Sequence, residues 1–173
     1  PHQQLTNTAI LQDVDNNSLQ GAVIQLDANY VIGDDILSFV DTASISSVWN
    51  PATGSLVLSG SDNIANYEAA IRAVSYHNTS QNPTVLSRNV SITVDDGDVL
   101  SSPVLREIII QPVNDPPVVS GVETPALNYT EADGSVGVTS SLTVSDVDNV
   151  NIEGATVAIT DNYQSAEESL LFT

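Results

Sequence analysis

Two pairs of aspartates share the same spacing at two distant places in the chain. Asp13 and Asp15 stand two residues apart, as do Asp146 and Asp148, and an asparagine follows each pair. On extended backbone, side chains two residues apart point to the same side. Neighbouring carboxylates repel each other and attract a hard cation, and calcium takes roughly six to eight oxygen ligands. The spacing predicts a cation site at each pair, with the capping of a tight turn as the competing explanation.

The two pairs do not form EF-hand loops. Such a loop needs glycine at its sixth position and glutamate at its twelfth. Counted from either Asp13 or Asp146, neither position holds the required residue. The remaining oxygen ligands must therefore come from elsewhere in the fold. Asn114 and Asp115 are the natural source, because they lie between the two predicted domains.

The aspartate pairs belong to an internal repeat with an offset of 133 positions. Ten of the 28 residues from Asp13 to Val40 are identical to those from Asp146 to Thr173. A repeat of this kind indicates an array of similar structural modules. The chain is expected to be a window onto such an array, cut within a repeat at both ends. It would hold a nearly whole domain over 1–113, a linker over 114–117 and the first half of a second domain over 118–173.

Equivalent positions of the repeat carry the same aromatic residues. Tyr30 and Phe39 in the first copy match Tyr163 and Phe172 in the second, which predicts core packing for all four. The alignment leaves the first domain without a counterpart of the segment from Ala126 to Glu131. That segment is the predicted opening strand of the second domain, so an exposed sheet edge is expected in the first.

Composition excludes several functional classes. The 173 residues contain 22 Asp and Glu against three Arg and no Lys, which gives a net charge of −19. Binding to nucleic acid phosphates needs clustered basic residues, and an anionic membrane surface would repel this chain. There is no cysteine for disulfides. No apolar run approaches the ~20 residues of a membrane span, so no membrane insertion is expected in this segment.

The apolar pattern predicts an all-β chain with one short helix. Short runs rich in Val, Ile, Leu and Thr are bounded by Gly, Pro, Asn or Asp, and their spacing favours a Greek-key β-sandwich. Helix formers predict a helical turn at 66–74. The predicted strands cover Leu19–Leu26, Ser55–Leu58, Asn89–Val94, Val104–Val113, Ala126–Thr130 and a segment that runs through Val144.

Four segments carry motifs that occur together in one family. They are the linker Val113–Pro117, the Asp-x-Asp segment Leu142–Asn149, the glutamate segment Tyr129–Glu131 and the Asp-Gly segment Val94–Gly97. Together they resemble cadherin and cadherin-like repeats, over nearly the whole chain. The stretches Tyr67–Ser80 and Arg88–Val94 are closer to the cadherin-like repeats of large microbial and algal surface proteins than to vertebrate adhesion cadherins. The resemblance implies Ig-like, cadherin-like sandwich repeats in tandem.

The resemblance also implies calcium ions between successive repeats. Glu68 is the nearest candidate for the family's acidic motif before the fifth strand, which otherwise has no clear copy, and a thinner ligand set implies fewer ions or weaker binding. Carried over by position, the implied ligands are Asn114, Asp115, Asp146 and Asp148 at one junction, Asp13 and Asp15 with Asp95 or Asp96 at the preceding one, and Glu131 at the following one.

Simpler explanations stand beside these assignments. The segment from Asp95 to Asp98 also fits a hairpin turn, and Glu131 also fits a solvated strand residue. No catalytic set is present: His2 and His77 are the two histidines, and no serine lies in a nucleophile-elbow setting. His77, in a predicted polar loop, is expected to be inert. Trp49 is expected to pack in the core or against a turn rather than to bind sugar.

Four sequons offer glycan acceptors in a secreted protein. Asn78 is the best candidate, because 77–83 is predicted to be a polar loop. The acceptor asparagines are Asn16, Asn78, Asn89 and Asn128.

The sequence thus predicts a non-enzymatic, structural or adhesive module of an extracellular or cell-surface protein, stiffened by calcium at its junctions. Its expected partners are neighbouring repeats of the same protein and, in a filament or adhesive contact, other copies. A calcium-independent sandwich repeat that packs into a filament or sheath is the first alternative. A carbohydrate-binding module of a surface protein, with Trp49 and nearby tyrosines as its platform, is the second.

Overall fold

The computed structural model describes residues 2–172, so that Pro1 and Thr173, the ends of the two predicted domains, lie outside it. The chain divides into two compact units between Val113 and Asn114, where the linker is predicted to begin. The elements in chain order are β1 (Gln3–Gln4), β2 (Ser18–Leu26), β3 (Asp35–Ser38), β4 (Ser46–Asn50), β5 (Ser55–Asn63), α1 (Ile64–Ala73), β6 (Ser75–Asn78), β7 (Arg88–Asp95), β8 (Val104–Ile108), β9 (Val118–Ser120) and β10 (Thr143–Ser145).

Strand β2 is the centre of the first unit. The larger antiparallel sheet has the order β4-β5-β2-β7-β8, and a smaller one has the order β1-β6-β3. Ala22, Ile24 and Leu26 alternate along β2 and are all buried, as expected of a strand with one face on the core. Strand β2 is paired on both edges, with β5 and with β7. The strand order makes β4 and β8 the outermost strands of this sheet.

Helix α1 closes part of the core. It begins after Asn63, whose side chain accepts the N–H of Asn66 at 2.9 Å. Asn is a favoured residue at this position because it satisfies an otherwise unpaired amide of the first turn. Tyr67, Ala70 and Ile71 bury one face of the helix. The predicted helix at 66–74 is confirmed, with a start two residues earlier.

The structure is mostly β, as predicted, with three antiparallel sheets and one helix in the described residues. Strands β2 and β7 are confirmed to within one residue at each end, and β5 is confirmed at its start but continues to Asn63, beyond the predicted end at Leu58. Strand β8 ends at Ile108 rather than Val113. The predicted strand at Ala126–Thr130 is wrong, since this segment pairs with no other strand.

The second unit contains one pair of strands and no buried residue in its described part. The core prediction for Tyr163 and Phe172 is therefore wrong: their exposed fractions are 50% and 104%. Tyr30 and Phe39 do pack against the core of the first unit. The reason is that β5 and β7, which pair with the two edges of β2, have no counterparts among the described residues of the second unit.

The repeat is nevertheless visible in the backbone. Asn29 has φ 58° and Asn162 has φ 57°, and these residues are 133 positions apart. Left-handed backbone is uncommon outside glycine, and asparagine tolerates it best. The same left-handed backbone conformation therefore occurs at equivalent positions of the two units.

A buried ion pair links two strands and a loop of the first unit. Arg88 Nε lies 2.9 Å from Asp35 Oδ2, and both side chains are almost fully buried. Tyr76 Oη and Asn78 Nδ2 each donate to Asp35 Oδ1 at 2.6 Å. The guanidinium also donates to Thr84 and so attaches the segment before β7. Every charge in this network has several partners.

The pKa of Asp35 reflects two opposing effects. Burial alone would raise it, but hydrogen bonds from Tyr76, Arg88, the Val31 amide and Asn78 outweigh burial and lower the pKa. Burial and the adjacent Asp35 raise the pKa of Tyr76. The carboxylate therefore stays ionised and the phenol stays protonated at neutral pH.

Replacing Arg88 with methionine should destabilise the first unit by about 3–5 kcal/mol, because it leaves a buried carboxylate without its countercharge. Urea unfolding measures this change. Arg106→Met is the matched control, since Arg106 is exposed and should change stability by less than about 0.5 kcal/mol. Equal effects of the two substitutions would contradict the importance of the buried pair.

Acid should remove the contribution of Asp35. The pKa of Asp35 is lower in the folded state than in the unfolded state, so its ionised carboxylate stabilises the native state at pH values above the unfolded pKa of about 3.9. This contribution is lost as the pH falls through the folded-state pKa. Wild type should therefore exceed Asp35→Asn in stability by a constant amount above about pH 5. The difference should shrink below about pH 4. A difference that grows on acidification would show that the assigned direction is wrong.

Candidate metal centre

The two aspartate pairs form the same turn. Asp13 Oδ1 accepts the N–H groups of Asp15 and Asn16, each at 2.9 Å. Asp146 Oδ1 accepts those of Asp148 and Asn149, again each at 2.9 Å. We call these the first and second Asp-Val-Asp-Asn turns, residues 13–16 and 146–149. The first aspartate of each acts as a turn cap, and it keeps its other carboxylate oxygen for a further ligand.

The second turn lies against the linker. The amide of Asp115 donates to Asp148 Oδ2 at 2.5 Å, and Asn149 Nδ2 donates to Asn114 Oδ1 at 3.0 Å. Asp115, Asp146 and Asp148 are only partly exposed, in a unit whose residues are mostly fully exposed. The backbone of Asp115 and the side chain of Asn114 thus contact the second turn. The carboxylates of Asp115, Asp146 and Asp148, which the family resemblance assigns to one site, do not form a metal-holding group in the described residues.

The first turn lies against a different acidic segment. Asn16 Nδ2 donates to Asp96 Oδ2 at 3.1 Å. Asp96 Oδ1 accepts the amides of Asp98 and Val99 at 2.8 Å each. The Val99 and Asp98 amides, and then Asn16, lower the pKa of Asp96. Asp96 therefore shapes the turn between β7 and β8 and also contacts the first aspartate turn.

Two other acidic candidates lie apart from these contacts. Glu131 is exposed and makes no hydrogen bond or ion pair within residues 2–172. Glu68 Oε1 accepts the amide of Leu11 at 2.8 Å, and its other oxygen lies 3.1 Å from Arg72. Glu68 therefore fixes the segment before the first aspartate turn and is not brought to the turn itself.

The donor atoms suit a hard cation, although they gather in small groups. Over residues 2–172, no three His, Asp or Glu side chains come close enough to hold a metal ion. Each turn instead holds two aspartates and an asparagine whose Nδ2 donates to a neighbouring segment, to Asp96 from the first turn and to Asn114 from the second. Calcium accepts amide, carbonyl and water oxygens as readily as carboxylates. The residues present therefore fit a weak calcium site better than a tight one.

The sequons differ in the freedom of their asparagine side chains. Asn78 Nδ2 donates to the buried Asp35, and Asn78 Oδ1 accepts the amide of Ser80 at 2.9 Å. Asn16 Nδ2 is engaged with Asp96. Asn89 and Asn128 are exposed. Position 78 lies at the end of β6 rather than in the predicted polar loop, which is why the sequence overrated its accessibility.

The aromatic and histidine side chains form two contacts in the first unit. Tyr30 and Trp49 meet edge to face at 6.3 Å between ring centroids, and both pack against the core. The core or turn packing predicted for Trp49 is confirmed. His2 and His77 lie 4.3 Å apart, a contact that sequence reasoning missed because the residues are far apart in the chain. Burial, followed by the charge of His2, lowers the pKa of His77.

Comparison with protein-family models, with curated proteins and with solved structures gives no match to this chain. Within the described residues, no helix has the length and apolar character needed to cross a bilayer.

The turn-capping role of Asp13 can be separated from its charge. Asp13→Asn keeps an oxygen that can accept both amides, whereas Asp13→Ala removes it. Without calcium, alanine should lower the stability of the first unit by about 1 kcal/mol, and asparagine should change it by only a few tenths. Urea unfolding with a chelator measures both. Equal losses in the two variants would mean that the carboxylate charge, rather than the acceptor oxygen, holds the turn.

Proposed function

We propose that the chain is part of an extracellular structural or adhesive protein built from tandem Ig-like, cadherin-like β-sandwich repeats, with calcium ordering the linker at 114–117. The main support is the contact between the linker and the second Asp-Val-Asp-Asn turn, through Asp115 with Asp148 and Asn114 with Asn149. These residues are more than thirty positions apart in sequence. The proposal assigns no catalytic role to the chain.

The repeated geometry of the two turns supports the same function. Each turn uses one aspartate as a cap. The family resemblance places a turn of this kind beside an Asn-Asp linker, as the second turn is here. The first turn contacts Asp96, and the described residues contain no Asn-Asp segment against it. We therefore expect a more complete ligand set at the second turn than at the first.

The proposed mechanism is mechanical. Carboxylates held close together raise the free energy of the ordered linker, and the chain has few basic residues that could offset them. A bound cation removes this repulsion and adds bonds to oxygens of the linker and the turn. Binding to the ordered state alone stabilises that state by mass action. An array of such junctions becomes stiffer when calcium is present.

A calcium-independent structural repeat is the second candidate. It is favoured by the hydrogen bonds that already satisfy Asp13 Oδ1 and Asp146 Oδ1 without an ion. In that case the aspartates are turn residues and the remaining acids are solvated. The carbohydrate-binding alternative has less support, because Tyr30 and Trp49 are tilted by 86° and packed rather than coplanar and exposed.

Isothermal titration with CaCl₂ should show binding with Kd of roughly 10⁻⁴–10⁻³ M, the range of many extracellular modules. The linker site should be the tighter one. Asp146→Asn keeps the turn acceptor and removes one charge, so it should weaken that site by about tenfold while the fold stays intact. Asp13→Asn is the matched variant at the first turn and should leave the tighter site unchanged.

Magnesium at the same concentration controls for simple charge screening, since Mg²⁺ keeps its water and fits irregular sites poorly. Calcium at about 10 mM should also stabilise the ordered state by about 1–3 kcal/mol if Kd is in the expected range. An absence of binding heat, together with a melting curve that EDTA does not change, would favour the calcium-independent repeat.

A further inference from the structure

The small sheet of the first unit brings both histidines of the chain together on its outer face. Its strands are neighbours in the order β1-β6-β3. Tyr76 on β6 and Leu37 on β3 are buried and face the core. Because side chains alternate along a strand, His77 points to the opposite face. The pairing of Gln3 with Tyr76 sets His2, the residue before Gln3, opposite His77.

Neither imidazole has its hydrogen-bonding capacity satisfied. His77 Nδ1 is buried and has no partner within residues 2–172. His2 Nδ1 lies 3.4 Å from Ser38 Oγ and 3.5 Å from Ser75 Oγ, and both distances are long for a hydrogen bond to a hydroxyl. A buried polar atom without a partner is unusual in a folded protein and calls for an explanation, such as an ion that binds there. The pair therefore has ring nitrogens to offer to a ligand.

The separation of the two rings fits a single shared metal ion. Their centroids are 4.3 Å apart, and their planes are tilted by 55°. Metal–imidazole bonds are about 2.0–2.1 Å long, which places each ring centre roughly 3 Å from the metal. Two ring centres at the observed separation therefore subtend roughly a right angle at such an ion. Adjacent ligands make this angle in the tetragonal coordination typical of Cu(II) and Ni(II), whereas zinc prefers a tetrahedral arrangement.

The number of protein ligands also selects among metals. Over residues 2–172, no third His, Asp or Glu side chain joins the pair to form a metal-holding group. Zinc sites in proteins use three or four side-chain ligands, so two imidazoles suit zinc poorly. Copper(II) binds nitrogen ligands more strongly than the other divalent metals of its row. Calcium prefers oxygen ligands, so the histidine pair is chemically separate from the aspartate turns.

We propose that His2 and His77 form a binding site for a divalent late transition-metal ion, copper(II) above the others, which links β1 to β6. Strand β1 pairs with β6 through two residues, Gln3 and Gln4. One bond from each strand to the same ion adds a cross-link at the end of this short pairing. The net charge of −19 raises the concentration of cations around the chain. Water completes the coordination, so the ion is exchangeable.

The test titrates the untagged, metal-free chain with CuCl₂ in a non-coordinating buffer that contains CaCl₂ at about 10 mM to occupy carboxylate sites. We expect one strong copper site per chain, with nitrogen hyperfine structure from two imidazoles in the electron paramagnetic resonance spectrum. Copper should bind at least about tenfold more tightly than zinc. His2→Gln and His77→Gln should each weaken copper binding by about tenfold or more and remove one of the two imidazole signals.

Gln4→Ala is the matched control. Gln4 is exposed on β1 opposite Ser75, beside the histidine pair, and its replacement should change copper affinity by less than about twofold. Circular dichroism melting of the metal-free variants verifies that the fold is intact. The nitrogen count in the wild-type spectrum decides the question even if a variant unfolds.

Three results would overturn the proposal. The first is a wild-type chain without a strong copper site. The second is a spectrum with oxygen ligands alone, which would place copper on the carboxylates. The third is full affinity in His77→Gln, which would place the ion on His2 and the adjacent main chain without β6. None of these results bears on calcium binding at the linker, so the two proposals stand or fall separately.

Discussion

The placement of carboxylates is the constraint on which this structure depends. With 22 acidic residues and three arginines, most carboxylates have no basic partner. Several of them accept hydrogen bonds from backbone amides and polar side chains instead. Asp35 gathers four kinds of donor in the core, and the two repeat turns each place two backbone amides on one carboxylate oxygen. Hydrogen bonds from Thr139 and Ser140 likewise lower the pKa of Glu123. Acids gathered in this way are ordered and still carry charge that a cation can neutralise.

Much of the first unit could be predicted from local pattern. An apolar run bounded by turn residues predicts β2 to within one residue, and a run of helix formers predicts α1 with a start two residues late. The exposure of Phe172 could not be predicted in this way. The same residue type at the equivalent position, Phe39, packs against a core whose members come from many parts of the first unit. Identity between the two repeat copies carries no information about those other members. The Asp35–Arg88 pair was missed for the same reason, since its partners are 53 positions apart.

The candidate site was more predictable than the core because it depends on short segments. The spacing of Asp146 and Asp148 predicts a turn or a shared ligand site, and the linker motif predicts the partner segment. The structure contains both the turn and the contact with Asp115. The number of converging carboxylates could not be predicted, since it depends on how Glu131 and Glu68 are placed. Glu68 accepts the amide of Leu11 and pairs with Arg72, so its carboxylate is not directed at the first aspartate turn.

The central claim is that the linker and the second Asp-Val-Asp-Asn turn form one cation site. The most direct measurement is a calcium titration followed by the backbone amide resonances of Asp115, Asp148 and Asn149. The account predicts that these three shift together along one binding curve, at lower calcium concentrations than the amides of Asp15 and Asn16, and that magnesium does not reproduce the shifts. Independent, unsaturated shifts at the two segments, or equal shifts with magnesium, would contradict it.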